Sequence, residues 1–371
     1  MNYLKFIMYG AVINTISSLC LAQVSFYNNT QGWDANISGS LPVFFVLSDT
    51  KDGEQASRIM SGFNPASLTF GVTMPEENGL VVSSKFQINN HLQGSQVQNS
   101  GLFESRIAEI QIDSDSGTLN IGKGFGIFNS SAIGDIGSSK GVGWMGGGAD
   151  QANTTGGHIG TGYVYANFNP RIMYSHSVGD NFNYKFGFFN PEEPTDAAGS
   201  VETKVPRIEG QINYVINSFE VWTGFMWQPV ELIVEDVDYN LQGVDVGGRY
   251  KQGGVQMTAS YTITEGIGAD GLYGYGGIND AEVEGSQWYV EGAFSHNNTT
   301  YGISYGIGSQ DAHTAPFAVA KIENILAMVF VHHKATSHLT FMLELQDYVS
   351  ETSSVATNEY QAMSLGTQLD F

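Results

Sequence analysis

Nine charged residues fall on the polar faces of alternating stretches: Lys85, Arg171, Lys185 and Arg249, with Glu209, Glu220, Asp245, Glu291 and Glu344. Their surroundings do not suit covalent chemistry. The adjacent His332 and His333 have no nucleophile or carboxylate motif beside them and read as surface residues flanking a turn. "GKGFG" (122–126) has the glycines of a phosphate loop, but no helix follows, so it is not a dinucleotide site. No Ser-His or Asp-His arrangement and no His or Cys set with metal-ligand spacing is visible, so neither catalytic residues nor a metal or other cofactor is expected. What such charges can do is electrostatic. Cations and acids facing each other across water set up a field that sorts and orients polar solutes.

The elements that would hold them are strands. In "VQMTASYTI", Val255, Met257, Ala259, Tyr261 and Ile263 alternate with Gln256, Thr258, Ser260 and Thr262. "FEVWTGFMWQ", "QWYVEGAFS", "TYGISYGI" and "HLTFMLELQ" repeat the pattern, and helical periodicity is almost absent. Short connections rich in turn residues (75–79, 115–117, 179–181, 251–254, 295–299) alternate with long polar ones (190–205, 229–240, 264–285, 349–358, and the longest near 129–160). Residues 54–74 and 160–178 carry strand character without clear boundaries.

Composition narrows the partners. A formal charge of −22 over 371 residues argues against nucleic acid, whose binding needs clustered Lys and Arg. Residues 1–22 have one cation (Lys5), an apolar stretch and a small-residue site ending at Ala22, the layout of a signal peptide. The mature domain would be 23–371, without Cys20, the single cysteine, and therefore without a disulfide.

Alternation says that two faces meet different solvents, not which solvents they are. A soluble β-sandwich would point the apolar face inward. Three features favour the reverse: a polar face of Gly, Ser, Thr, Gln and Glu with few Lys, aromatics near strand ends, and a last strand, "YQAMSLGTQLDF", finishing on Phe371. Short turns at one end and long loops at the other complete the layout of an all-β transmembrane up-and-down antiparallel β-barrel of about 16 strands. In the closing hairpin, Leu343 would face lipid and Met342 the lumen.

Three segments resemble the Gram-negative general porin family of trimeric diffusion channels. "SRIMSGF" (57–63) is similar to its second strand and "NGLVVSSKFQIN" (78–89) to its third. "GTLNIGKGFGIF" (117–128) is similar to the fifth, which leads into a third loop folded into the barrel. The resemblance implies an outer-membrane homotrimer of a Gram-negative bacterium, in contact with lipid and lipopolysaccharide and passing small hydrophilic solutes. It puts Arg58 and Lys123 where the family has its cationic wall cluster. With the lumen-facing Lys85 and Arg171, they would form a pore constriction opposite Asp135 and Asp150, the acids of the infolded loop. Lys123 shares its parity with Leu119 and Ile121, so a bulge at Gly122–Gly124 would have to turn it inward. The family's Pro-Glu-Phe-Gly-Gly is replaced by "GVGWMGGGAD" (141–150), a departure that bears on the constriction. Phe371 would be the signal read by the barrel-assembly machinery. Acids such as Glu192, Glu231 and Asp236 in the long connections would make a negative mouth, and overall acidity predicts mild cation preference. Alternatives are an oligosaccharide-selective channel, with aromatics such as Tyr289 stacking on sugars, and an outer-membrane enzyme.

Overall fold

The computed structural model describes residues 24–50, 55–61, 64–90, 92, 104–137, 156–193, 201–234, 236–268, 281–314, 318–353 and 355–371. Among them are β1 (Val24–Asn28), β2 (Asp34–Thr50), β3 (Gln55–Met60), β4 (Ala66–Thr73), β5 (Val81–Asn90), β6 (Ala108–Ser114), β7 (Gly117–Phe125), β8 (Phe168–Val178), β9 (Phe182–Phe189) and β10 (Val201–Glu202). There follow β11 (Arg207–Ile216), β12 (Phe219–Leu232), β13 (Val237–Gln252), β14 (Val255–Glu265), β15 (Glu284–His296), β16 (Thr299–Gln310), β17 (Ile322–Lys334), β18 (Leu339–Thr352) and β19 (Val355–Asp370).

These strands form one antiparallel sheet that closes on itself through β19 and β2, a barrel of 16 staves with extra strand pieces. The extra pieces explain the unclear boundaries at 54–74. Both β3 and β4 pair with β2, one along Phe44–Asp49 and the other along Asp34–Ser40, so they are two parts of one stave. The sheet closes beside Phe371, whose amide and carbonyl both bond to Gly39 at 3.0 and 2.7 Å. Gly39 is required there, because a Cβ would come within 2.5 Å of the Phe371 ring. The short turns carry residues that tolerate positive φ, as at Asn78-Gly79 (54° and 77°) and Gly253-Gly254 (59° and 84°). Two expected long loops are shorter than the composition suggests. β12 and β13 run through most of 229–240, and β18 and β19 through most of 349–358, because polar side chains on a strand above the membrane face water.

Period two decides the solvent of each face. On β14, Met257, Tyr261 and Ile263 are exposed outward, whereas Thr258, Ser260, Thr262 and Thr264 are buried inside. The same split puts Phe225 and Trp227 of β12, Val290 of β15, Ile303 and Tyr305 of β16 and Leu345 of β18 on the outside. A continuous apolar belt of this size is a lipid-facing surface. Aromatics flank it: Phe219 against Tyr250 at the short-turn end, Trp288 against Tyr305 toward the long loops. Leu343 and Met342 take opposite faces, but Met342 does not meet open water. It packs with Phe44, Val46 and Met60 in a buried apolar cluster on the inner face.

Candidate functional site

The inner wall is built in two halves, and the connection after β7 separates them. Its described limbs, 126–137 and 156–167, turn into the barrel and lie against the inner face of β11–β17. Three wall carboxylates hold the outgoing limb by its backbone. Glu209 accepts the Ile127 and Phe128 amides (2.5 and 3.0 Å), Asp245 the Asn129 amide (3.4 Å), and Glu291 the Ile136 and Gly137 amides (2.7 and 3.1 Å). Those amides have no ladder partner, and carboxylates make stronger bonds to them than neutral acceptors do. Glu209 also takes Arg207 Nε at 2.7 Å, with both side chains sealed and the guanidinium over the Phe189 ring. Asn129, in the left-handed region (φ 60°), joins the limbs: its Oδ1 accepts the Val164 amide (2.9 Å) and the Thr262 hydroxyl (3.0 Å).

The returning limb rests on a glycine floor. Gly306 and Gly308 point inward from β16, and a Cβ on either would run into the Thr161 or Gly160 carbonyl. His158 stacks on Tyr289 (4.9 Å, 14° between planes), with Nε2 2.9 Å from Ser304 Oγ and Nδ1 3.3 Å from Thr161 Oγ1. Burial outweighs nearby Asp135 and holds this imidazole below its usual pKa, hence neutral. The Ser304–His158 contact has the look of a nucleophile and base. It is sealed from solvent, and the ring's other nitrogen meets a hydroxyl instead of an orienting carboxylate. It is a fastening.

The half from β3 to β9 is wetter. Arg58 and Lys85 are exposed and share the inner parity; Lys185 is half-buried. Lys85 lies across from Glu109, whose Oε2 is 2.7 Å from Arg171 Nη2. That ion pair passes over β7, where the middle glycine of "GKGFG" makes room for it. A Cβ on Gly124 would stand 2.5 Å from Arg171 and 2.8 Å from Glu109. Arg171 Nη1 also reaches the Phe125 carbonyl. On the same wall, Asp113 accepts the Gln111 amide and the Thr118 hydroxyl (2.8 and 2.6 Å).

The expected constriction set is therefore dispersed. Arg58, Lys85 and Arg171 are on the inner face. Lys123 is not: the register of β7 against β6 and β8 runs through Gly122 (φ 130°) without a shift, leaving Lys123 opposite Ala108 and Pro170 on the outer face. Asp135 is in the infolded limb but only 1% exposed, accepting the Tyr163 hydroxyl at 2.7 Å. Asp150 lies outside the described residues. Tyr289 is sealed under His158 and donates to the Ala132 carbonyl (2.7 Å), so it offers no ring to a sugar. His332 is not a surface residue: it faces inward, buried, 3.0 Å from Glu344, while His333 faces outward. Glu192, expected at the mouth, is bonded to Asn167, Asn169 and Gln228. The inward parity of Gly306 and Gly308 is the one sequence signal that could have revealed where the loop docks.

A closed 16-stave barrel with a lipid-facing belt and an infolded loop defines the class: a channel-forming outer-membrane protein. The Gram-negative porin family model matches residues 10–333, and the chain belongs to that family. No curated sequence matches. Among solved structures it resembles the outer membrane channel DcaP of Acinetobacter baumannii (14% identity, TM-score 0.70, 94% of this chain and 100% of that one). It also resembles an anion-selective porin from Comamonas acidovorans (13%, 0.68, 91% and 100%) and the trimer form of OmpT, an outer membrane protein of Vibrio cholerae (15%, 0.59, 91% and 99%). The protein is an outer-membrane channel for passive diffusion of solutes, and family and fold point to a channel, not an enzyme.

Proposed function

We propose that small hydrophilic solutes cross along the β3–β9 half of the wall, between it and the infolded loop, and that Arg58, Lys85 and Arg171 line the narrow part. The observation that carries this reading is the contrast in exposure. Lys85 is open, whereas Glu209, Asp245, Glu291 and Glu344 on the other half are sealed. Asp135 anchors the loop in this reading and does not face solute, and Lys123 belongs to the outer surface. Residues 1–22 act as the export signal, leaving 23–371 as the barrel domain. Phe371, ordered against Gly39, is the mark read by the assembly machinery; deleting it should lower outer-membrane levels without altering the conductance of refolded protein.

The assembly is a homotrimer, in keeping with the trimeric Vibrio cholerae relative in fold. Acids on the outer face toward the long loops, among them Asp49, Glu323, Asp347 and Glu359, lie at headgroup height, where divalent cations would bridge them to lipopolysaccharide phosphates. The solute path is tested by single-channel conductance in planar bilayers. Gln87→Trp, inward beside Thr69 on the open half, should reduce conductance; Val246→Trp, outward on β13, should not. Equal conductances would place the path elsewhere.

A further inference from the structure

The adjacent histidines of β17 divide between two surfaces. His332 is buried against Glu344 inside, whereas His333 is exposed on the outer face, where no solute passes. His333 has company there. The register sets His296 of β15 opposite Thr299 of β16, and Thr299 opposite His333, one outward row across three strands. His333 Nδ1 is 2.9 Å from Thr299 Oγ1, and the exposed His296 ring stacks on Phe294 (6.3 Å, 12° between planes). The Lys334 amide donates to the Asn298 carbonyl at 2.8 Å, which ties the ends of the two hairpins together. Lys334 and His338 follow at the rim, both exposed.

Charge at this short-turn end is divided by arc. The turns between β4 and β9 carry Glu76, Glu77, Asp115 and Asp180, all exposed. The hairpins β13–β14, β15–β16 and β17–β18 carry Lys251, Lys334 and the three histidines instead. Residues 246–264, 292–310 and 325–343 contain no Asp or Glu, in a chain with 37 acids and 15 cations. The apolar belt begins beside the histidine row, where Phe294, Tyr301 and Phe341 are exposed. Short turns of such barrels lie on the periplasmic side, and the leaflet there is made of phospholipid. The row therefore stands where lipid phosphates are.

We propose that the outer face of β15–β17 at the periplasmic rim binds an anionic phospholipid, its phosphate between His296 and His333, Lys334 as counter-charge, and its chains against Phe294 and Tyr301. Two strand spacings put the histidine backbones roughly 10 Å apart, a gap that two imidazoles close on a phosphate. The Thr299 hydroxyl donates to His333 Nδ1, which leaves the ring's proton on Nε2 as a donor to an oxyanion. Phosphate oxygens only accept, and Lys334 makes the stronger, charge-assisted bond to them. A headgroup with an ammonium, such as phosphatidylethanolamine, finds no carboxylate on these hairpins to pair with. Phosphatidylglycerol needs none. The site pins one arc of the barrel to the periplasmic leaflet and is independent of the solute path.

The test is lipid competition on the full chain in neutral detergent, with equal amounts of phosphatidylglycerol and phosphatidylethanolamine added and bound lipid read by native mass spectrometry. Wild type should retain phosphatidylglycerol in preference. His296→Ala with His333→Ala should abolish the preference, and Lys334→Gln should weaken it roughly fivefold. Asp115→Asn with Asp180→Asn, on the acidic arc, should leave it unchanged. Thr299→Val keeps both imidazoles and suits a strand, so it reads the site even if the double variant is poorly produced; it too should weaken the preference. Equal retention of the two lipids by wild type, or an unchanged preference in the histidine and Thr299 variants, would overturn the inference. Displacement of the lipid by inorganic phosphate would make this a site for the free ion and overturn the lipid assignment.

Discussion

The β3–β9 half of the inner wall and the β11–β17 half use the same alternation and the same residue types, yet they do opposite things. On the first, Arg58 and Lys85 meet water and other polar side chains meet one another, as Gln111 does with Asp113 and Arg171 with Glu109. On the second, Glu209, Asp245 and Glu291 meet the backbone of an infolded loop and lose their water. A carboxylate is cheap to keep in a wet channel and expensive to bury unless its lone pairs are filled. The loop's unpaired amides fill them. The wall therefore supplies the acceptors that an irregular loop lacks, and the loop removes negative charge from the passage.

The largest expected effect that would break this contrast is at Glu209. Glu209→Ala takes from the sealed Arg207 its nearest carboxylate and orphans two loop amides, so it should lower unfolding free energy by roughly 3–5 kcal/mol. Asp113→Ala on the wet half should cost about 1 kcal/mol or less. Urea titrations in lipid vesicles measure both, and equal losses would erase the distinction between the halves.

The next test asks whether the open half really separates lipid from water one residue at a time. Phe86 is exposed outward and Gln87 points in, bonded to Thr69 at 3.1 Å. Phe86→Lys should cost about 2–4 kcal/mol if it lies near the bilayer midplane, and Gln87→Lys much less. The same titrations decide it; reversed costs would invert the barrel.

On the covered half, Gly308→Val should push up the Gly160–Thr161 backbone and destabilise the protein by about 1–3 kcal/mol. The loosened loop should show as noisier single-channel currents, which the quiet trace of a conservative outward change such as Val246→Ile would not match.

The smallest effect concerns pH. His158 is held below the ordinary imidazole pKa by burial, so the unfolded chain binds its proton more readily than the native one. Stability should therefore rise with pH through about 6.5 and be lost in acid, by no more than about 1.4 kcal/mol per pH unit from this group. His158→Gln should flatten thermal scans between about pH 5 and 7 relative to wild type. An unchanged slope would mean that the ring is not buried neutral.

Much of the barrel was legible in the chain because lipid and water reward period two directly. Val255–Ile263 declares its faces without knowing its neighbours, and so do the inward parities of Lys85, Arg171, Glu209 and Glu291. The loop's destination was not legible. Its fastening pairs Ile127 with Glu209 and Ile136 with Glu291, contacts between a backbone amide and a carboxylate far along the chain, and no local propensity encodes them. Lys123 shows the limit of motif matching: its neighbours fit the pattern, but an unbroken register put it outside.

The alternation of side chains, the turn residues between strands and the count of staves were determined by the sequence alone, since each follows from a residue and its near neighbours in two solvents. Which inward charges touch water was decided only by the tertiary structure. A carboxylate on the inner face is available or masked according to what lies over it, and the covering backbone belongs to residues some eighty to one hundred and fifty positions away.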